Sequence, residues 1–214
     1  MLSVPPPRAI RAIAALLLLA LAGCSTVATT RTGFLGSYEE LKPDSKDTRR
    51  LAFEKTEWKK ADFTHVTFEP TVVHFSPKDE KKITAQESKD LAAYCDAALR
   101  KAFEKSFKPG ETTEAKSLRI RAAVTGIDTS SPGLNVVSGL LLWPMDYGGV
   151  SLEFEVLDAA SGERLIALVG FSQGTPLQVI GSFSRFGHAR SGIDHWVAEL
   201  HKTVRPAQTK TASN

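Results

Sequence analysis

Gly148-Gly149-Val150-Ser151-Leu152-Glu153-Phe154-Glu155-Val156-Leu157-Asp158 is the stretch on which the fold turns. Val150, Leu152, Phe154 and Val156 alternate with Ser151, Glu153 and Glu155, and a period of two marks a strand with one apolar face. Asp158-Ala159-Ala160-Ser161-Gly162-Glu163 supplies turn chemistry, and Arg164–Phe171 returns as a second β-rich run, so the two form an antiparallel hairpin. Glu153 and Glu155 share the polar face, about 7 Å apart along the strand. Paired carboxylates can do acid–base work, but on the outer face of a sheet the expectation is solvation.

Working back from the hairpin, Leu118, Ile120, Ala122 and Val124 alternate with Arg119, Arg121 and Ala123, another strand. Ahead of it, Thr84-Ala85-Gln86-Glu87 matches the capping box, in which Thr and Glu side chains satisfy each other's backbone donors. The helix it opens runs to about Phe107, before Pro109-Gly110, with Leu91, Cys95, Ala98, Leu99, Ala102 and Phe103 on one apolar face. Cys95 on that face reads as a buried, inert thiol. Earlier still, Phe63–Phe75 is β-rich: Val66 and Phe68 alternate with Thr67 and Glu69, and Pro70 makes the strand an edge or gives it a bulge. A strand, a long helix and a strand predict a right-handed β-α-β unit with parallel strands. Ser172–Gly187 reads as a loop, and Ser191–Val204 as a short helix with Ile193, Trp196, Val197 and Leu200 in its stripe. The β-α-β-β-β-α order predicts an α+β fold over residues 33–204. We expect a single two-layer domain, its small mixed or antiparallel sheet of three to five strands carrying two helices packed on one face. Phe34, Leu35, Tyr38 and Leu41, apolar in a polar tract, pack against that domain; Ser45–Arg50 is charged and expected in solvent.

Residues 1–23 read as an export signal. Arg8 and Arg11 precede Ala12–Leu21, an uncharged run with five leucines, and small residues follow. The run is too short to span a bilayer, which takes about 20 apolar residues. Leu21-Ala22-Gly23-Cys24 resembles the lipobox of bacterial lipoproteins. That resemblance implies cleavage between Gly23 and Cys24, lipid on the Cys24 thiol, and acylation of the new amino terminus, palmitate among the acyl chains. Residues 24–32, small and polar, form a lipidated tether. Ser25 after the cysteine favours the outer membrane, facing the periplasm, in enterobacterial-type sorting. Residues 205–214 lack apolar periodicity and form a disordered tail.

Composition, at 42% hydrophobic and 24% charged residues, suits a packed domain. The signal takes Arg8 and Arg11 from the 27 basic residues, leaving 25 against 24 acidic ones. A net charge of +1 gives no general attraction for nucleic acid. With Cys24 lipidated, Cys95 has no disulfide partner.

Leu134–Tyr147 crowds Val136, Val137, Leu140, Leu141, Leu142, Trp143 and Met145 among Gly139 and Pro144. It reads either as a membrane or partner contact through Leu140, Leu141, Leu142 and Trp143, or as a flap over the sheet. Gly170-Phe171-Ser172-Gln173-Gly174 fits the G-x-S-x-G elbow, with Asp194 and His195 or His201 in Ser–Asp–His order. The elbow needs a helix directly after the serine, and Thr175-Pro176 and Gly181 intervene. His188, His195 and His201 lack the H-E-x-x-H spacing, and His65 and His74 read as surface or packed residues. No catalytic residue, metal ligand or cofactor site is expected.

The chain is similar to a family of bacterial lipoproteins known as domain of unknown function 3313. The matching residues are Gly33-Phe34-Leu35 with Tyr38 and Leu41-Lys42-Pro43, Glu69-Pro70-Thr71-Val72, the run from Leu118 to Thr125, the run from Gly148 to Asp158, Gly162-Glu163 and Trp196. The resemblance implies an envelope location and a compact α/β domain, and brings no catalytic residues. The expectation is a membrane-anchored, non-enzymatic envelope lipoprotein of structural or accessory role, held by its lipid and contacting envelope proteins. The alternatives are a serine hydrolase using Ser172, Asp194 and His195, or a small-molecule or lipid-binding module.

Overall fold

The computed structural model describes residues 31–45, 47, 49–112, 116–128, 149–173 and 186–206. In chain order the strands are β1 (Lys42–Pro43), β2 (Arg50–Glu54), β3 (Phe63–Phe68), β4 (Val72–Val73), β5 (Lys108–Pro109), β6 (Lys116–Asp128), β7 (Gly149–Asp158) and β8 (Arg164–Gln173). The helices are α1 (Pro77–Glu80), α2 (Ala85–Phe103) and α3 (Gly187–Val204).

One mixed sheet runs β1-β2-β8-β7-β6-β3-β5, with β4 also pairing on β6. The hairpin β7–β8 is antiparallel, with Phe154 opposite Leu168, and β6 joins it antiparallel, with Ala122 opposite Phe154. β3 and β6 are parallel, as a strand–helix–strand unit requires. Pro70 lies in the gap between β3 and β4, where a missing donor interrupts pairing. The fold is α+β with a mixed sheet. With eight strands among the described residues the sheet is larger than expected, because β1, β2, β4 and β5 are only two to five residues long and carry no readable period. The Ser45–Arg50 tract departs from expectation at its end: Arg50 opens β2, which pairs antiparallel with β8.

Both long helices pack on one face. Leu91, Cys95, Leu99 and Phe103 of α2 and Ile193, Trp196, Val197 and Leu200 of α3 close over Ile120, Val124, Leu152, Phe154 and Leu168 in one buried cluster. The α2 capping box forms: Glu87 N–H donates to Thr84 Oγ1 at 3.2 Å, and Thr84 N–H to the Glu87 carboxylate at 2.8 Å. α3 starts four residues before the expected Ser191, at Gly187, and no side chain caps it. It sits so close to the sheet that a Cβ on Gly170 would lie 2.6 Å from the Trp196 ring.

Candidate functional site

The other sheet face carries the least expected chemistry. All ten residues of β7 are buried, so Glu153 and Glu155 are not the solvated outer pair that the alternation suggested. Glu153 is 0% and Glu155 4% exposed. The cover comes from the far end of the chain: Leu35 and Leu41 pack on Ala167 and Val169, with Phe34, Tyr38, Leu51 and Phe53 around them.

Polar contacts pin this amino-terminal segment residue by residue. Glu153 Oε1 accepts from the Thr32 N–H at 3.0 Å and the Thr32 hydroxyl at 2.9 Å, while Oε2 accepts from the Tyr38 hydroxyl at 2.5 Å. Burial, then the Glu153 hydrogen bond and charge, raises the Tyr38 pKa above its ordinary value. Glu155 lies between two guanidiniums: Arg164 Nε donates at 2.7 Å and Arg121 Nη1 reaches the other oxygen. Arg164 extends onward to the Ser37 carbonyl at 3.0 Å and to that of Leu35. Arg121 also donates to Glu69 at 3.2 Å and lies over the Phe34 ring. These carboxylate oxygens are occupied by protein donors, an arrangement that holds a segment in place; general acid–base work needs an oxygen open to a reacting group. The segment crosses from the level of Glu153 at Thr32 to that of Arg164 at Ser37.

The residues of the serine-hydrolase reading are described, and they diverge. Ser172 meets the buried side of α3, where a Cβ on Gly192 would lie 2.9 Å from Ser172 Cβ. Asp194 and His195 lie on the exposed side of that helix. Asp194 accepts the Tyr94 hydroxyl at 2.8 Å, and His195 packs edge-on against Trp196. Ser172 and Gln173, expected to open a loop, belong to β8, and residues 174–185 lie outside the described residues. Cys95 is fully buried, and desolvation pushes its thiol up to about 12. His65 shares a contact with the neighbouring Thr64 hydroxyl, and burial lowers the pKa of His188. Among the described residues no group of three or more His, Cys, Asp or Glu is placed to hold a metal ion. Gly23, Cys24, Leu140, Leu141, Leu142 and Trp143 lie outside the described residues.

Residues 30–200 match the family described as "Protein of unknown function (DUF3313)". The chain belongs to this family. A DUF3313 assignment agrees with the resemblance drawn from the sequence. The chain is 27% identical over 196 residues to the uncharacterized lipoprotein YdcL of Escherichia coli (strain K12), covering 83% of this chain and 87% of that one. Among solved structures it resembles a PelC variant dodecamer from Paraburkholderia phytofirmans, at 13% identity and a TM-score of 0.43, over 74% of this chain and 98% of that one. It also resembles a putative neuraminyllactose-binding hemagglutinin homolog from Helicobacter pylori. That match has 12% identity and a TM-score of 0.37, over 73% of this chain and 88% of that one.

Thr32 and Tyr38 had a readable signal only in part. Apolar residues in a polar tract suggested docking of the segment, but nothing local names Glu153 as its partner 121 and 115 residues on.

Proposed function

We propose that this DUF3313 protein is a lipid-anchored envelope protein of structural or accessory, non-enzymatic role. Signal residues 1–23 are removed, lipid including palmitate is carried on Cys24, and the domain faces the periplasm from the outer membrane. The observation that carries the reading is the clamp on Thr32 and Tyr38. A tether is useful only if it ends in something that resists pulling, and this one ends in hydrogen bonds to the fully buried Glu153. The lipobox residues Leu21-Ala22-Gly23-Cys24 and the lipoprotein YdcL support the same reading. Three acyl chains exceed the two signals that stable anchoring requires.

The contact surface in this reading is Leu140, Leu141, Leu142 and Trp143, toward the membrane or an envelope partner. They lie in the connection between β6 and β7, whose ends Asp128 and Gly149 pair with each other.

The test is mass spectrometry of the membrane-extracted protein together with fractionation of Cys24→Ala. The reading expects a mature chain beginning at lipid-modified Cys24, and release of the variant from the membrane fraction. An unmodified Cys24 in a chain that still fractionates with membranes would sink it. For the contact surface, Leu141→Ser with Trp143→Ser should abolish capture of crosslinked envelope partners while the circular dichroism spectrum is kept. Loss of folding would instead make these residues core.

A further inference from the structure

On the face of α2 and α3 turned away from the sheet lies an open groove of about 440 Å³. The two helices run parallel: Tyr94 bonds Asp194 near one end, and His201 meets Ser106 and the Phe103 ring near the other. Ala97, Ala98, Ala102, Val197 and Ala198 form the apolar middle. Asp194 marks one end of the groove, and Lys101 and Lys105 the other. Neither lysine forms an ion pair with a described residue. Arg190, near Asp194, is laid over the Tyr94 ring. Burial, then Arg205 and Lys105, lowers the His201 pKa at the basic end.

We propose that this groove is a self-association surface, and that its occupant is the same groove of a second copy of the chain, turned antiparallel. A patch with opposite charges at its two ends is complementary to itself only in that orientation, about a two-fold axis lying in the contact plane. Tyr94 and Lys101 are seven residues apart, about 10 Å along the helix. Ala98 lies between them, and Ala198 lies the same four residues beyond Asp194. An axis at the two alanines sets Lys101 and Lys105 of each copy against Asp194 of the other. Alanines at the crossing let the helix pairs approach closely, since interaxial distance follows side-chain size. The clamped amino-terminal segment is on the opposite face of the sheet, so pairing leaves both tethers unobstructed.

Charge reversal tests the pairing by sedimentation velocity on the full chain in detergent. The wild-type protein should be a dimer. Lys101→Glu with Lys105→Glu sets three acidic groups together, and Asp194→Lys sets three basic ones together; each variant should weaken dimerisation by at least about tenfold. Mixed one to one, the two variants should form a heterodimer, because positions 101 and 105 of each copy again face an opposite charge at position 194 of the other. Circular dichroism checks that each variant keeps its fold. A monomeric wild type overturns the proposal, as do variants that stay dimeric or folded variants whose mixture stays monomeric.

Discussion

The Tyr38 hydroxyl donates to Glu153 at 2.5 Å, joining the amino-terminal segment to the centre of the sheet across 115 residues. Among the described residues Arg121 and Arg164 both pair with Glu155, and the Glu153 carboxyl is held by three neutral donors. Removing one leaves a buried carboxylate under-satisfied, which costs more than an average hydrogen bond contributes. Tyr38→Phe should lower unfolding stability by about 1–3 kcal/mol, read from urea denaturation with an unchanged slope. A loss below the error of the measurement would mean that water replaces the hydroxyl and that the segment is loosely held.

The same contact sets an alkaline dependence. The folded Tyr38 pKa is raised above the unfolded value near 10, because burial and the Glu153 charge disfavour the phenolate. Below pH 10 this residue's contribution is present in full. It is lost as pH rises from there through the raised folded value. Stability above pH 10 should therefore fall more steeply in wild type than in Tyr38→Phe, and parallel curves would remove Tyr38 as the cause.

Arg164 and Arg121 both pair with Glu155, yet they should not be equivalent. Arg164 also holds the Leu35 and Ser37 carbonyls, whereas Arg121 is shared with Glu69, and Arg164 is the less exposed of the two. Arg164→Ala should cost about 2–4 kcal/mol and Arg121→Ala less. Solvent at both guanidiniums keeps these figures below those of a fully buried pair. Only Arg164→Ala should also open the amino-terminal segment to limited proteolysis under native conditions. Equal losses and equal protection would show that Glu155, and not the segment, is what Arg164 holds.

What was legible follows from how local each signal is. The β7–β8 hairpin, the capping box at Thr84–Glu87 and the parallel β3–β6 pair each follow from contiguous period or spacing. Arg50–Glu54 escaped because five residues with a charge at each end resemble a solvated tract until β8 pairs with them. The burial of Glu153 and Glu155 escaped for a stronger reason. Their alternation is correct for a strand, but which face is dry depends on a cover over 100 residues away. Gly187 and Phe186, a helix start with no capping side chain, gave no sign of where α3 begins.

Cys95 offers a direct probe of that core. With no exposed surface and its thiol pushed up to about 12, it should be alkylated at pH 8 only through unfolding. Its rate with iodoacetamide should track stability across the Tyr38 and Arg164 variants. In denaturant, mature protein with lipidated Cys24 should titrate one free thiol. Two thiols would mean that Cys24 is unmodified, and fast native labelling would mean that α2 opens locally.

Gly170 tests how tightly α3 is seated. It lies in β8 opposite Leu152, and a methyl there would fall 2.6 Å from two carbons of the Trp196 ring. Its backbone has no positive φ, so alanine introduces no strain of its own and any cost comes from the ring. Trp196 is 1% exposed and packed within the main cluster, which leaves it no free direction in which to tilt. Gly170→Ala should therefore destabilise by about 1–3 kcal/mol and shift the tryptophan fluorescence. Gly162→Ala is the contrast: φ there is +72° and a Cβ would meet Arg119 Nη2 only at an ordinary 3.8 Å, so its cost should be backbone strain with no spectral change. Restoration of Gly170→Ala by Trp196→Phe, which makes room for the methyl, would locate the strain at this one contact. A neutral Gly170→Ala would mean that α3 shifts outward to accommodate it.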